Sequence, residues 1–428
     1  MATTYLTRTG VTPTISNKYT FSCWVKRGSI GTTETIFRTY SDSNNSAQLI
    51  FDSDDSFAFQ DIIGGTTVTN LKPSNLFRDT GAWMNIIVQV DYTQATAADR
   101  AKIFINGVEV SYSATTVQSE GGASMLNTAN NNALGSNRSN SSHYFTGSMS
   151  QVNFIDGTAY PATAFGSVNA TSGIWVANSG PTVTYGNNGF FLDMANSSDM
   201  GNDVSGNAND FTVGGGTVTQ MEDTPDNNFA TWNPLVQQSS GFVLSNGNTT
   251  ADNTNDTWRS VYSTLAPSVG KYYFECKIVN QLQTPRSIIG VCSTTQASNA
   301  SARLGYEGTN AYAYGSDGNK INNGTNTSYG NTFATGDIIS CALDLDNGKI
   351  YFGKNGTWQN SGDPTSGSTG TGSAFNVTLG ESYYFGSASY GNDGIISINA
   401  GNGYFQTTAV ASAGTNASGN GIFEYDVP

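Results

Sequence analysis

The run Gly336-Asp337-Ile338-Ile339-Ser340-Cys341-Ala342-Leu343-Asp344-Leu345-Asp346, then Asn347-Gly348, then Lys349-Ile350-Tyr351-Phe352-Gly353-Lys354-Asn355-Gly356-Thr357-Trp358, decides the fold. Ile339, Cys341, Leu343 and Leu345 recur at every second position. That period puts them on one face of a β-strand. Asp346-Asn347-Gly348 carries turn residues, because Asn and Gly tolerate positive φ. The second run is therefore predicted to return antiparallel to the first.

The same reading extends in both directions. Lys271-Tyr272-Tyr273-Phe274-Glu275-Cys276-Lys277-Ile278 alternates, and Ile288-Ile289-Gly290-Val291-Cys292 and Ala311-Tyr312-Ala313-Tyr314-Gly315-Ser316-Asp317-Gly318 follow it. Near the N-terminus, Tyr19-Thr20-Phe21-Ser22-Cys23-Trp24-Val25-Lys26 reads as a strand, and Ala47–51 and 57–59 read as a pair. Trp83-Met84-Asn85-Ile86-Ile87-Val88 begins a longer strand. In Lys102-Ile103-Phe104-Ile105-Asn106-Gly107-Val108-Glu109-Val110, the Asn-Gly pair suits a type I′ hairpin. Gly147-Ser148-Met149-Ser150-Gln151-Val152-Asn153-Phe154 closes this first series. Helical signals are scarce, and Thr96-Ala97-Ala98-Asp99-Arg100 is the best of them. The expected fold is all-β: two antiparallel β-sandwiches over residues 1–170 and 241–428, joined by an ordered connector over 171–240. The connector is rich in Asn, Asp and Gly, yet it carries Phe190, Phe191, Phe211, Phe229 and Trp232. A flexible linker lacks such residues, so these aromatics are expected to dock on one or both sandwiches.

Composition limits the chemistry. Of 428 residues 12% are charged, against about 25% in an ordinary soluble domain. The net charge is −14, with 18 dispersed Lys and Arg. Nucleic-acid backbone binding needs clustered basic residues and is excluded as a main role. His143, in the polar run Asn140-Ser141-Ser142-His143-Tyr144, is the one histidine. It is expected in an exposed loop, and it leaves no partner set for a zinc site or a Ser–His triad. Cys23, Cys276, Cys292 and Cys341 lie in apolar runs without C-x-x-C spacing, as reduced core thiols do. No signal peptide or stretch approaching 18 apolar residues is visible, so neither a membrane span nor Sec export is expected.

Two resemblances follow from these motifs. Phe21-Ser22-Cys23-Trp24-Val25-Lys26, Trp83–88, the Ile103–107 hairpin and Gly147–154, in that order, resemble the laminin-G or concanavalin A-like jelly roll over about residues 1–165. The series from Lys271 to Trp358, with its Gly-Asp-x-Ile and Ile-x-Phe-x-x-Asn-Gly runs, resembles the SPRY domain, the core of B30.2 modules. The two in series resemble virion-surface proteins of tailed phages of marine bacteria.

Concanavalin-like folds also host glucanases, which need two facing carboxylates. The eight glutamates here are isolated, with no two in one strand. No catalytic residues are expected, and the chain is read as a non-enzyme. Asp52, Asp54 and Asp55 crowd one loop and are candidate Ca²⁺ ligands, laminin-G-like domains sometimes binding that ion; a solvated acidic loop is the alternative. No other cofactor is implied. Tyr306, Tyr312 and Tyr314 are candidate ligand-binding residues, because SPRY domains bind protein partners through loops at one end of the sandwich. Tyr312 and Tyr314 share a strand face, so a place in the core is the alternative for them.

The expected function is that of a phage virion-surface protein, a capsid decoration or fibre component and a homo-oligomer. It would contact other virion proteins of the capsid or tail and also host glycans. A secreted or cell-surface lectin-like adhesin is the alternative, with a glycosidase behind it.

Overall fold

Alternation along Lys18–Arg27 sends Tyr19, Phe21, Cys23 and Val25 to one side, and all four are fully buried. The computed structural model describes residues 3–137, 142–237, 241–281, 287–297, 303–391 and 394–428. It forms two compact units: Met1–Gln220 with Thr224–Asn228, and Met221–Asp223 with Phe229–Pro428.

The first unit is an antiparallel sandwich. Among the described residues, one sheet runs Phe190–Leu192, Gly147–Asp156, Lys18–Arg27, Met84–Asp91, Ala101–Ile105, Val108–Glu109. The other runs Tyr112–Thr116, Thr66–Pro73, Phe57–Ile63, Asn45–Phe51, Glu34–Asp42, Asn131–Leu134, Tyr5–Thr9, Thr212–Gly215. Between them Phe21 stacks on Phe37 at 5.3 Å, and Phe154 on Phe190 at 5.7 Å. The Asn106-Gly107 turn has φ of 48° and 78°, as a type I′ hairpin requires. Glycine is needed at 107 for a second reason: a Cβ there would lie 2.4 Å from the Trp175 ring. Trp175 belongs to a small hairpin, Gly166–Val168 with Trp175–Ala177, that packs with Ile87, Ile155 and Phe165.

The stretch 171–240 supplies strands to both units. Phe190–Leu192 pairs with Gly147–Asp156, and Thr212–Gly215 pairs with Tyr5–Thr9. Phe190, Leu192 and Phe211 enter the first core, while Trp232, fully buried, enters the second. Residues 238–240 lie outside the described residues.

The second unit is also an antiparallel sandwich. One sheet runs, among the described residues, Trp232–Gln237, Trp258–Ser263, Tyr383–Tyr390, Ser287–Ser293, Ala311–Gly315, Asn319–Asn322, Thr325–Ser328. The other runs Phe242–Ser245, Thr250–Asn253, Gly394–Asn399, Lys271–Asn280, Ile338–Asp344, Lys349–Lys354, Thr357–Trp358. The turn at 345–348 joins the two strands read first from the sequence, with Asp344 opposite Lys349. The Asp344 carboxylate accepts from the backbone N–H of Asp346 and Asn347, both at 3.0 Å, which is the local bonding expected of Asp at a turn. Phe274 and Phe385 stack at 4.4 Å in the core. All four cysteines are buried and free.

One strand departs from the sequence pattern. On Lys271–Asn280 the alternation places Phe274, Cys276 and Ile278 inward and predicts an open outer face. Yet Tyr273 and Glu275 are buried too. Chain segment 421–428 lies over them, with Phe423 edge-on to Tyr273 at 4.9 Å.

Candidate binding surfaces

The three tyrosines separate. Ala311–Gly315 carries Tyr312 and Tyr314 into the second core, where they are 5% and 0% exposed. Tyr314 packs on Tyr329, Phe333 and Phe352 and donates its hydroxyl to Asn331 O. Tyr312 packs on Phe375 and Tyr383. Period two is the reason for both, since one strand face is the core face. Neither ring is offered to a ligand in this arrangement.

Tyr306 is placed differently. It follows a tight turn, with its N–H donated to Arg303 O at 2.9 Å, and it is half-buried. The Arg303 guanidinium lies between two rings, with Cζ 3.4 Å from the Trp258 centroid and 3.6 Å from the Tyr306 centroid. Leu304 N–H donates to Ser260 Oγ, which ties this loop to the strand Trp258–Ser263. Trp258 is braced edge-on by Tyr390 at 5.7 Å, and Tyr306 OH donates to Asn326 Oδ1 at 3.1 Å. Burial lowers the Arg303 pKa, opposed by Tyr306. The result is a rigid Trp–Arg–Tyr stack at a surface. Sequence reasoning found Tyr306 but missed Trp258 and Arg303, which are remote in sequence or unremarkable singly.

The three aspartates do not converge. Asp55, buried and at φ 65°, turns inward to Arg27 (3.3 Å) and Arg78 (2.9 Å) and accepts Gly31 N–H. Asp54 turns outward to Lys72 at 3.1 Å, with Asp52 at 4.0 Å from the same ammonium. Hydrogen bonds from the Ser56 hydroxyl and amide, then Lys72, hold the Asp54 carboxyl well below the usual carboxylate range. Basic side chains already occupy the positions a cation would neutralise. Among the described residues no three His, Cys, Asp or Glu side chains gather to hold a metal ion. His143 is exposed, at φ 53°.

A row of polar side chains, Arg38 buried and the other three half-buried, lies on the side of one sheet of the first unit that faces away from its core. Arg38, Gln48, Gln60 and Asn70 stand opposite one another on four adjacent strands. Gln48 Nε2 donates to Gln60 Oε1 at 2.8 Å, and the Arg38 guanidinium lies 5.0 Å from the Tyr40 centroid. Each of these alternates with an inward apolar residue, such as Leu49 or Phe59, and the alternation was the available signal.

The second sandwich thus carries a half-buried Arg–aromatic stack, and the first a row of polar side chains. Comparison with known proteins places both units. Residues 2–163 match the Laminin_G_3 model of the concanavalin A-like lectin/glucanases superfamily. Residues 271–375 match the SPRY domain. The chain thus carries a concanavalin A-like domain followed by a SPRY domain. It is 34% identical over 94 residues to Ran-binding protein 9 of Danio rerio, covering 22% of this chain and 15% of that protein. Against human Ran-binding protein 9 the identity is 35% over 94 residues, covering 22% and 12%. The chain therefore spans about 15% of the length of the curated relatives it matches. Among solved structures, the SPRY domain of human HERC1 is 20% identical at a TM-score of 0.31, covering 39% of this chain and 96% of that one. Stonustoxin is 18% identical at 0.30, covering 40% and 27%.

Proposed function

We propose that the chain is a non-enzymatic binding protein of a phage virion surface, a capsid decoration or fibre component that works as a homo-oligomer. Its SPRY domain docks a segment of another virion protein on the surface around Tyr306. The Trp258–Arg303–Tyr306 stack carries this reading. Trp, Tyr and Arg dominate interface hot spots, and a side chain already held between two rings loses little freedom on binding. The acidic, amide-rich surface and the pairing of two binding domains support the virion setting. The test has two arms. Mass spectrometry of purified particles is expected to find the chain as a structural component, and its absence overturns the virion setting. Arg303→Ala is expected to weaken attachment to particles lacking the protein by tenfold or more, about 1.4 kcal/mol; unchanged attachment overturns the docking surface.

A second reading rests on the row Arg38, Gln48, Gln60 and Asn70. Neutral amides in line with an Arg–Tyr pair suit the hydroxyls of an uncharged host glycan better than an anion. Glycan-array binding that disappears in a Gln48→Ala/Gln60→Ala variant supports it, and a blank array removes it. A cell-surface adhesin would use the same face, and finding the chain on cells rather than particles would favour that alternative.

A further inference from the structure

The Arg303 guanidinium is covered on both faces. Its Cζ lies 3.4 Å from the Trp258 centroid and 3.6 Å from the Tyr306 centroid, so the rings leave no room for a further group above or below it. Of its three nitrogens, Nε alone is shut off from solvent without a partner. The Nη1 and Nη2 edge is the side left to an incoming group. In the same unit Lys271 pairs with Asp344 at 3.7 Å and Lys354 with Asp337 at 3.1 Å, but among the described residues Arg303 has no such carboxylate. Beside the stack, Asn326 Oδ1 accepts the Tyr306 hydroxyl at 3.1 Å, which leaves the two Nδ2 hydrogens of that amide to donate elsewhere. Asn326 is exposed on Thr325–Ser328, a strand at the end of its sheet among the described residues.

A guanidinium covered on both faces can be engaged only in its own plane, along its N–H edge. Parallel N–H donors at that edge match the two oxygens of a carboxylate, and such a charge-assisted pair is about twice as strong as a neutral hydrogen bond. An aromatic partner would need a face of the guanidinium, and Trp258 and Tyr306 hold both. Phosphate-reading sites gather several arginines, whereas this stack contains one. The net charge of −14 repels an acidic surface taken as a whole. At physiological salt, exposed charges more than ~8 Å apart are largely screened from one another. The site therefore suits one carboxylate in an otherwise uncharged stretch better than an acidic tract.

We propose that the Nη edge of Arg303 receives a single Asp or Glu side chain from an otherwise uncharged segment of a partner protein, with the Asn326 amide donating to a main-chain carbonyl beside it. This rests on the Tyr306 surface being the docking site, and it names the group that docks there. The receiving side is fixed before the partner arrives. Leu304 N–H on Ser260 Oγ holds the loop, and Tyr390 edge-on to Trp258 holds the ring. Little ordering is then left to oppose binding.

The probe is a random dodecapeptide library displayed on filamentous phage and selected on the immobilised full chain. Sequences that are lost when the Arg303→Met chain replaces the wild type are expected to share one Asp or Glu among uncharged residues. One such sequence, made as a free peptide, is expected to bind the wild type about tenfold more tightly by titration calorimetry than its form with Asn or Gln in place of the acid. That comparison uses a single protein, so folding of a variant does not enter it. Against Arg303→Met the two peptides are expected to bind alike, which is the coupling a double-mutant cycle reads. Arg303-dependent peptides without a carboxylate, or a carboxylate whose removal changes nothing, overturn the proposal and leave the docking surface standing. A phosphoserine peptide that binds about tenfold better than the acid overturns the choice of carboxylate. A library with no sequence that depends on Arg303 removes the docking surface, and the proposal with it.

Discussion

Asp61 lies on Phe57–Ile63 with its side chain turned into the first core, where it is fully buried. Its carboxylate accepts from Ser124 Oγ at 2.7 Å and Met125 N–H at 3.1 Å, and Ser124 is paired with Tyr19 OH at 2.9 Å. Burial outweighs these donors and pushes its pKa up to about 6. In the unfolded chain the value is ~3.9. Two units at ~1.36 kcal/mol each make ~3 kcal/mol. Because the folded value is the higher one, this stability is fully present below about pH 4. It is lost as pH rises through about 6, where the unfolded chain has already released its proton. Asp61→Asn removes the titration and keeps the packing: the amide oxygen still accepts from Met125, and the amide nitrogen donates to Ser124, whose hydroxyl then donates to Tyr19. Calorimetric melts of the full chain from pH 4 to pH 8 read the effect, with the second unit's transition as internal control. At ~2–4 °C per kcal/mol for a unit of this size, the variant is expected to gain ~6–12 °C on the wild type between the two ends of that range. Parallel pH curves for the two proteins would falsify the reasoning.

Other perturbations give equally direct outcomes. Arg27→Ala leaves the buried Glu34 carboxylate without its cation, leaves Asp55 with Arg78 alone, and removes a guanidinium 4.3 Å from the Phe51 centroid; the first calorimetric transition is expected to lose ~3–5 kcal/mol. Phe211→Ala, at the T-shaped contact with Phe190, is expected to cost ~3–5 kcal/mol in the same transition although it lies outside residues 2–163. Calcium chloride or EDTA is expected to leave both transitions unmoved, because Lys72, Arg27 and Arg78 already pair with Asp52, Asp54 and Asp55; a calcium-dependent rise in Tm refutes that.

Much of the architecture was legible because strand period and turn residues are local. The Asp346-Asn347-Gly348 turn and the Asn106-Gly107 hairpin needed no distant information, and the four buried cysteines declared themselves by their apolar neighbours. What escaped was set by contacts between remote residues. Glu275 reads as an outward residue of an alternating strand, and only the return of 421–428 buries it. Trp258 and Arg303 become a surface feature only when Ser260 fixes the 303–306 loop. Asp55 and Asp54 are near neighbours in sequence, yet a positive φ at Asp55 sends one inward and leaves the other in solvent. The clustered aspartates suggested a site through density alone, and density does not give direction.

The late strands of the first unit have a consequence for its synthesis. Tyr5–Thr9 gains its second partner only when Thr212–Gly215 has emerged. At roughly 5–20 residues per second that is a wait of about 10–45 s. Through that interval the first strand made is a bare edge, able to pair with any neighbouring nascent chain. Thr9 is the exposed residue of that strand, and any fragment cut at residue 163 keeps the edge open permanently.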